Sequence, residues 1–149
     1  MACDDTALYV SEVGGSRVRK LRLPEDFRVA GAATPRGSHL GGLSLDAESA
    51  VVGQLTFPQG VAVEYGELFV ADCEDHRVAV YDARTLSYLR SFGSEGDADG
   101  ELRFPYALTV YLDQVIVMDE GNHRLSLTPS PGPSTSPSPC LRVSLAPDP

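Results

Sequence analysis

The stretch Gly53-Gln-Leu-Thr-Phe-Pro-Gln-Gly-Val-Ala-Val-Glu-Tyr-Gly-Glu-Leu-Phe-Val-Ala-Asp72-Cys-Glu-Asp-His-Arg-Val78 decides the fold, because much of it returns downstream. Gly53-Gln-Leu-Thr-Phe-Pro58 reappears as Gly100-Glu-Leu-Arg-Phe-Pro105. Leu68-Phe-Val-Ala-Asp72 reappears as Val115-Ile-Val-Met-Asp119, and Asp75-His76-Arg77-Val78 as Asn122-His123-Arg124-Leu125. Every pair stands 47 residues apart (53 to 100, 72 to 119, 76 to 123), with no gap. Self-similarity at one fixed spacing marks a stack of supersecondary units, none of which buries its apolar faces alone.

A more degenerate copy lies upstream. Leu8-Tyr-Val-Ser-Glu12 matches Leu68 to Asp72, and Ser16-Arg17-Val18 matches His76 to Val78, here at a spacing of 60 (8 to 68). The extra residues fall in the Gly- and Ser-rich stretch from Gly31 to Gly53, which reads as a long surface loop.

Within a copy the apolar residues alternate with period two, which predicts strands rather than helices. Val61 and Val63, then Leu68 and Val70, then Val78 and Val80 follow this rule, and Tyr65-Gly66, Glu74-Asp75 and Asp82 to Ser87 supply the turns between. Strands are expected near 60–64, 67–71, 77–82 and 88–92, then 107–111, 114–118 and 124–127. The upstream copy should give strands near 7–11, 17–22 and 27–30, with no innermost strand before them. Four-stranded units of this length are the pattern of β-propeller blades.

Composition bounds the rest. The chain has 149 residues, 42% hydrophobic and 22% charged, which is globular rather than disordered. No apolar run reaches the length of a membrane span, and the first residues lack the basic and apolar regions of a signal peptide, so a cytoplasmic or nuclear location is the expectation. Twelve Lys and Arg against 21 Asp and Glu leave a formal charge of −9. From Gly53 to Leu125 there are five Arg and thirteen Asp or Glu, a local −8, which disfavours RNA as a partner because phosphate binding rests on Lys and Arg. Cys3, Cys73 and Cys140 are odd in number and widely spaced, which suits reduced thiols and no zinc ribbon.

The pattern Phe57-Pro-x-Gly60-Val-Ala-Val63, Leu68-Phe-Val-Ala-Asp72, Asp75-His76-Arg77-Val78, repeated with Asn122-His123-Arg124-Leu125, resembles the NHL repeat. The connecting Phe92-Gly93 to Phe104-Pro105 resembles that family's link between blades. The resemblance spans residues 7–125 and implies an all-β fold, a partial, open β-propeller of NHL-type four-stranded antiparallel blades. The expected organisation is a degenerate first blade at 1–31 lacking its innermost strand, a long loop at 32–52, a complete blade at 53–99, a truncated blade at 100–127, and a Pro/Ser-rich disordered tail at 128–149. Seven of the eleven prolines lie in 129–149, and proline cannot continue a central strand.

Candidate chemistry is sparse. His76 and His123 occupy one repeat position and read as turn residues that hydrogen-bond backbone and pack on the next blade. Asp72 with Arg77, Asp119 with Arg124, and Glu12 with Arg17 share one spacing and read as charge pairs clamping a hairpin end. Asp97-Ala-Asp99-Gly100-Glu101 lacks the ligand spacing of a calcium loop and reads as an acidic turn. No catalytic, cofactor or metal residues are expected. The resemblance implies a non-catalytic module for a protein partner, like the substrate-recognition propeller of RING-type ubiquitin ligases but without the RING. The residues expected to meet the partner are Glu74, Asp75, His76, Tyr106, Asn122 and His123. Self-association through open blade faces is a further expectation. The alternatives are a fragment of a propeller lyase or lactone hydrolase, and a truncated, non-functional gene product.

Overall fold

In the computed structural model, residues 1–23, 50–52, 55–129 and 141–144 are described. They form three four-stranded antiparallel sheets, with no sheet closed on itself and no α-helix among the described residues. The first sheet has the order β1 (Ala2–Cys3), β2 (Ala7–Glu12), β3 (Arg17–Arg22), β4 (Ala50–Val52). The second has β5 (Pro58–Glu64), β6 (Glu67–Asp72), β7 (Arg77–Asp82), β8 (Tyr88–Phe92). The third has β9 (Pro105–Tyr111), β10 (Gln114–Asp119), β11 (Arg124–Pro129), β12 (Leu141–Ser144).

The second sheet forms where its sequence pattern places it. β5 starts at Pro58, two residues before the expected 60, and a register shift between Pro58 and Val61 admits the proline at the strand's first position. β9 likewise starts at Pro105, and the shift falls opposite Met118 and Asp119. The β5–β6 and β9–β10 turns have two residues each, and both residues take positive φ: Tyr65 at 51° and Gly66 at 77°, Leu112 at 45° and Asp113 at 61°. These are the twist-matched turns that tight hairpins prefer.

Three expectations need correction. The first sheet does have an innermost strand, the two residues Ala2–Cys3, paired with Leu8 and Tyr9; a strand that short carries no readable alternation. Its fourth strand is Ala50–Val52, inside the stretch expected to be loop, where a brief Ala-Val-Val run is outweighed by its Gly and Ser surroundings. The expected strand at 27–30 lies outside the described residues. The third sheet is not cut short at 127, since β11 runs to Pro129 and Leu141–Ser144 of the proline-rich tail pairs with Arg124 to Leu127. Composition averaged over that tail hides its one Leu-Arg-Val-Ser segment. The rest of the tail lies outside the described residues.

Two apolar cores lie between the sheets. Leu68, Val70, Ala79 and Tyr81 of the second sheet pack with Ala7, Tyr9 and Val18 of the first. Phe69, Val78 and Val80 of the second pack with Val115, Val117 and Leu102 on the other side. The cross-strand register (Leu68 with Tyr81, Phe69 with Val80, Val70 with Ala79) sends alternate residues to opposite faces, which is why β6 is buried nearly end to end. Fully burying a side chain such as Phe69 contributes about 1.5–3 kcal/mol. Successive innermost strands approach closely. A β-carbon on Gly60 would lie 2.7 Å from Ala107 Cα, so the glycine is required by the contact between β5 and β9.

Candidate functional site

Strand alternation puts the β2–β3, β6–β7 and β10–β11 turns at one end of the stack, together with the links into β5 and β9. At this end Asp72 and Asp119 are fully buried. Each carboxylate performs the same two tasks 47 residues apart (72 to 119). Asp72 Oδ1 accepts the Thr56 amide at 2.6 Å and Oδ2 accepts Arg77 Nη2 at 2.9 Å. Asp119 Oδ1 accepts the Arg103 amide at 2.6 Å and Oδ2 accepts Arg124 Nε at 2.6 Å. The acid therefore ties the chain approaching the innermost strand to the hairpin of the same sheet. In the first sheet Glu12 pairs with Arg17 and reaches Arg19 as well. The expected cross-strand clamp is present in all three copies. Burial pushes the Asp72 carboxyl up, and the hydrogen bonds from Arg77 and Thr56 oppose that push without cancelling it.

Arg124 extends the clamp into the acidic turn. Its guanidinium donates to the carbonyls of Asp97 (2.6 Å), Ala98 (3.1 Å) and Glu101 (2.6 Å). Those carbonyls are thus held by an arginine, and Glu101 itself accepts the Ala98 amide, which accounts for the turn as a structural link. Among the described residues, no group of three or more His, Cys, Asp or Glu side chains is placed to hold a metal ion.

The six residues expected to meet a partner separate into two kinds. His76 has φ 53° and His123 φ 52°, the left-handed conformation that Ser16 also takes at φ 48° in the first copy. His76 Nδ1 accepts the Phe104 amide at 3.1 Å, and its ring meets the Phe104 ring edge-on at 4.6 Å. Asn122 Nδ2 donates to Gly96 O at 2.8 Å and Asp119 Oδ2 at 2.9 Å. His76 and Asn122 are therefore engaged in the scaffold. Glu74, Asp75, Tyr106 and His123 are exposed, with Asp75 3.0 Å from Arg77.

Sequence reading missed Phe57 and Phe104 at this end. They stand 47 residues apart (57 to 104), each with positive φ (66° and 51°), and each is exposed (40% and 44%), as is Tyr106 at 48%. A bulky aromatic in the left-handed region is uncommon, and two at one repeat position make it a feature of the repeat. The shared Phe-Pro pointed the other way, since a residue before proline is biased toward extended backbone with negative φ. Cys73, beside these turns, is buried, and burial together with Glu120, Glu74 and Asp72 pushes its thiol pKa up.

Face-to-face four-stranded sheets, with innermost strands converging at Gly60 and Ala107, define an open array of β-propeller blades. Residues 55–81 match the family model of the NHL repeat, so the chain carries an NHL repeat in its second blade. No curated protein matches the chain. Among the described residues, no helix is long and apolar enough to cross a membrane.

Proposed function

We propose that this chain is a non-catalytic protein-interaction module that receives a basic segment of a partner on the end of the blades carrying Phe57, Phe104 and Tyr106. The observation that carries this reading is the pair of exposed phenylalanines at one repeat position, both in a strained backbone conformation. Exposed aromatics on a rigid scaffold supply contact area at little entropy cost. Glu74, Asp75 and Glu120 lie exposed in the adjoining turns, so the complementary surface carries Lys or Arg. The buried Asp72 and Asp119 carboxylates are committed to Arg77 and Arg124, which supports a scaffolding role for them rather than a catalytic one. By the resemblance to recognition propellers, the setting for such a module is substrate selection in ubiquitin-dependent degradation, with the transfer chemistry supplied outside these residues.

The test is binding of a fluorescein-labelled Arg- and Leu-rich peptide, followed by anisotropy against an acidic peptide of equal length. Binding of the basic peptide, weakened by salt and at least about tenfold by Phe104→Ala or by Glu74→Lys with Asp75→Lys, supports the reading. Equal affinity for both peptides, or indifference to these substitutions, overturns it.

A further inference from the structure

Among the described residues, the second sheet is covered on both faces, whereas the first and third are each covered on one. On the third sheet the uncovered positions are Ile116, Met118, Leu125 and Leu127. They stand 47 residues after Phe69, Ala71, Val78 and Val80 (69 to 116, 71 to 118, 78 to 125, 80 to 127), which are all fully buried. Met118 is 46% exposed and the other three are half-buried. Met118 faces Leu125 and Ile116 faces Leu127 across the β10–β11 pair, so the four form one contiguous apolar patch.

Among the described residues, the first sheet is uncovered on its opposite face. Leu8, Val10 and Leu21 stand 60 residues before Leu68, Val70 and Tyr81 (8 to 68, 10 to 70, 21 to 81), which the first sheet covers, yet here they are only half-buried. Leu8 faces Leu21, and Val10 faces Arg19, across the β2–β3 pair. One open patch is thus the kind of face a following blade covers, and the other the kind a preceding blade covers.

We propose that a second copy of the chain covers both, the third sheet of each copy docking on the first sheet of the other, so that two copies close a ring of six blades. The seam between the second and third sheets is the template. There Val115 and Val117, the counterparts of Leu8 and Val10, pack against Phe69, Val78 and Val80, the counterparts of Ile116, Leu125 and Leu127. Blade number favours two copies. Propellers close with about four to eight blades, so the three blades formed by the described residues of one copy are too few, those of two copies give six, and those of three overshoot. Docking is head to tail, and head-to-tail contacts end in a ring when the rotation closes. Two third sheets docked on each other would leave the patch on the first sheet bare. Arg19 is accommodated because its stem is apolar and its Nε lies 2.6 Å from Glu12 Oε1, which holds the charged head toward the blade end.

The test is the solution mass of the full chain at micromolar concentration, with Val10→Lys and Met118→Lys as separate variants. The wild type should run at twice the 15.9 kDa chain mass, and each variant alone at the chain mass with an unchanged β-sheet circular dichroism spectrum. An equal mixture of the two variants should recover a dimer, because one of its two seams is then unmodified. A monomeric wild type, an open-ended mass distribution, or a dimer dissolved by Met118→Lys but not by Val10→Lys overturns the proposal. Leu8→Lys and Leu127→Lys, on the same two patches, replace either variant that fails to fold, and are read by the same outcomes.

Discussion

His76 Nδ1 accepts the backbone amide of Phe104 at 3.1 Å, joining the turn of one blade to the chain that begins the next. The bond fixes the ring nitrogens, since Nδ1 must be unprotonated while it accepts and the proton then sits on Nε2, 4.0 Å from Glu95. The repeat's histidine is thus a seam residue. His76→Leu should lower stability by about 1–2 kcal/mol in urea unfolding, through the lost acceptor and ring contact. His76→Asn should lose less, because Asn tolerates positive φ and keeps an acceptor. Equal losses for the two would exclude the hydrogen bond as the cause.

The two buried acids should differ in sensitivity. Arg124 has a side chain only 5% exposed, against 28% for Arg77. Arg124→Met leaves Asp119 without its cation and bares three carbonyls, so about 3–5 kcal/mol should be lost. Arg77→Met should cost less, because water reaches Asp72's partner site. Chemical unfolding of both variants decides the order.

The repeat spacing made the second blade legible, and the Asp–Arg clamp with it, because identical residue types at 47 residues must satisfy one geometry (72 to 119, 77 to 124). The short edge strands of the first sheet and of the tail were not legible. Ala2–Cys3, Ala50–Val52 and Leu141–Ser144 are too short to alternate visibly, and their pairing is dictated by the sheet already formed beside them. The exposed phenylalanines escaped for another reason: a bulky aromatic before proline argues against the positive φ that Phe57 and Phe104 adopt.

Leu112 offers a stabilising change. It is 74% exposed with φ 45° at the first position of the β9–β10 turn, where Asn is preferred. Leu112→Asn should raise stability by up to about 1 kcal/mol, because the left-handed conformation costs most residues about 1–2 kcal/mol and Asn less, without touching Asp113, whose charge raises the pKa of Tyr65. A thermal melt with no upward shift would contradict the strain assigned to this turn.

Acid sensitivity should reside partly in Asp82. Hydrogen bonds from the Thr85 amide and hydroxyl, then the Arg84 amide, hold its carboxyl below the ordinary value of 3.8. A lowered folded pKa contributes stability that is complete above the unfolded value and is lost as pH falls through the folded one. Asp4 is held low in the same sense: burial raises its pKa, but bonds from Thr6, Tyr9 and Ala7 outweigh that. Asp72 acts oppositely, its raised pKa favouring the folded state most at low pH. Melting temperature should therefore fall below about pH 4, and Asp82→Asn should flatten that fall. An unchanged slope would remove Asp82 from the account.

The thiols should report local opening. Cys3 is exposed, whereas Cys73 is buried among carboxylates that disfavour its thiolate. The thiolate is the reactive form, so burial and raised pKa act in the same direction. Iodoacetamide read site by site by mass spectrometry should modify Cys3 quickly, and Cys73 only at the rate at which the seam around it opens. His76→Leu weakens that seam at Phe104 and should speed labelling of Cys73 while leaving Cys3 unchanged. Rapid labelling of Cys73 in the wild type would mean that the turn after Asp72 is open to solvent, and would count against the packed seam from which the His76 prediction starts.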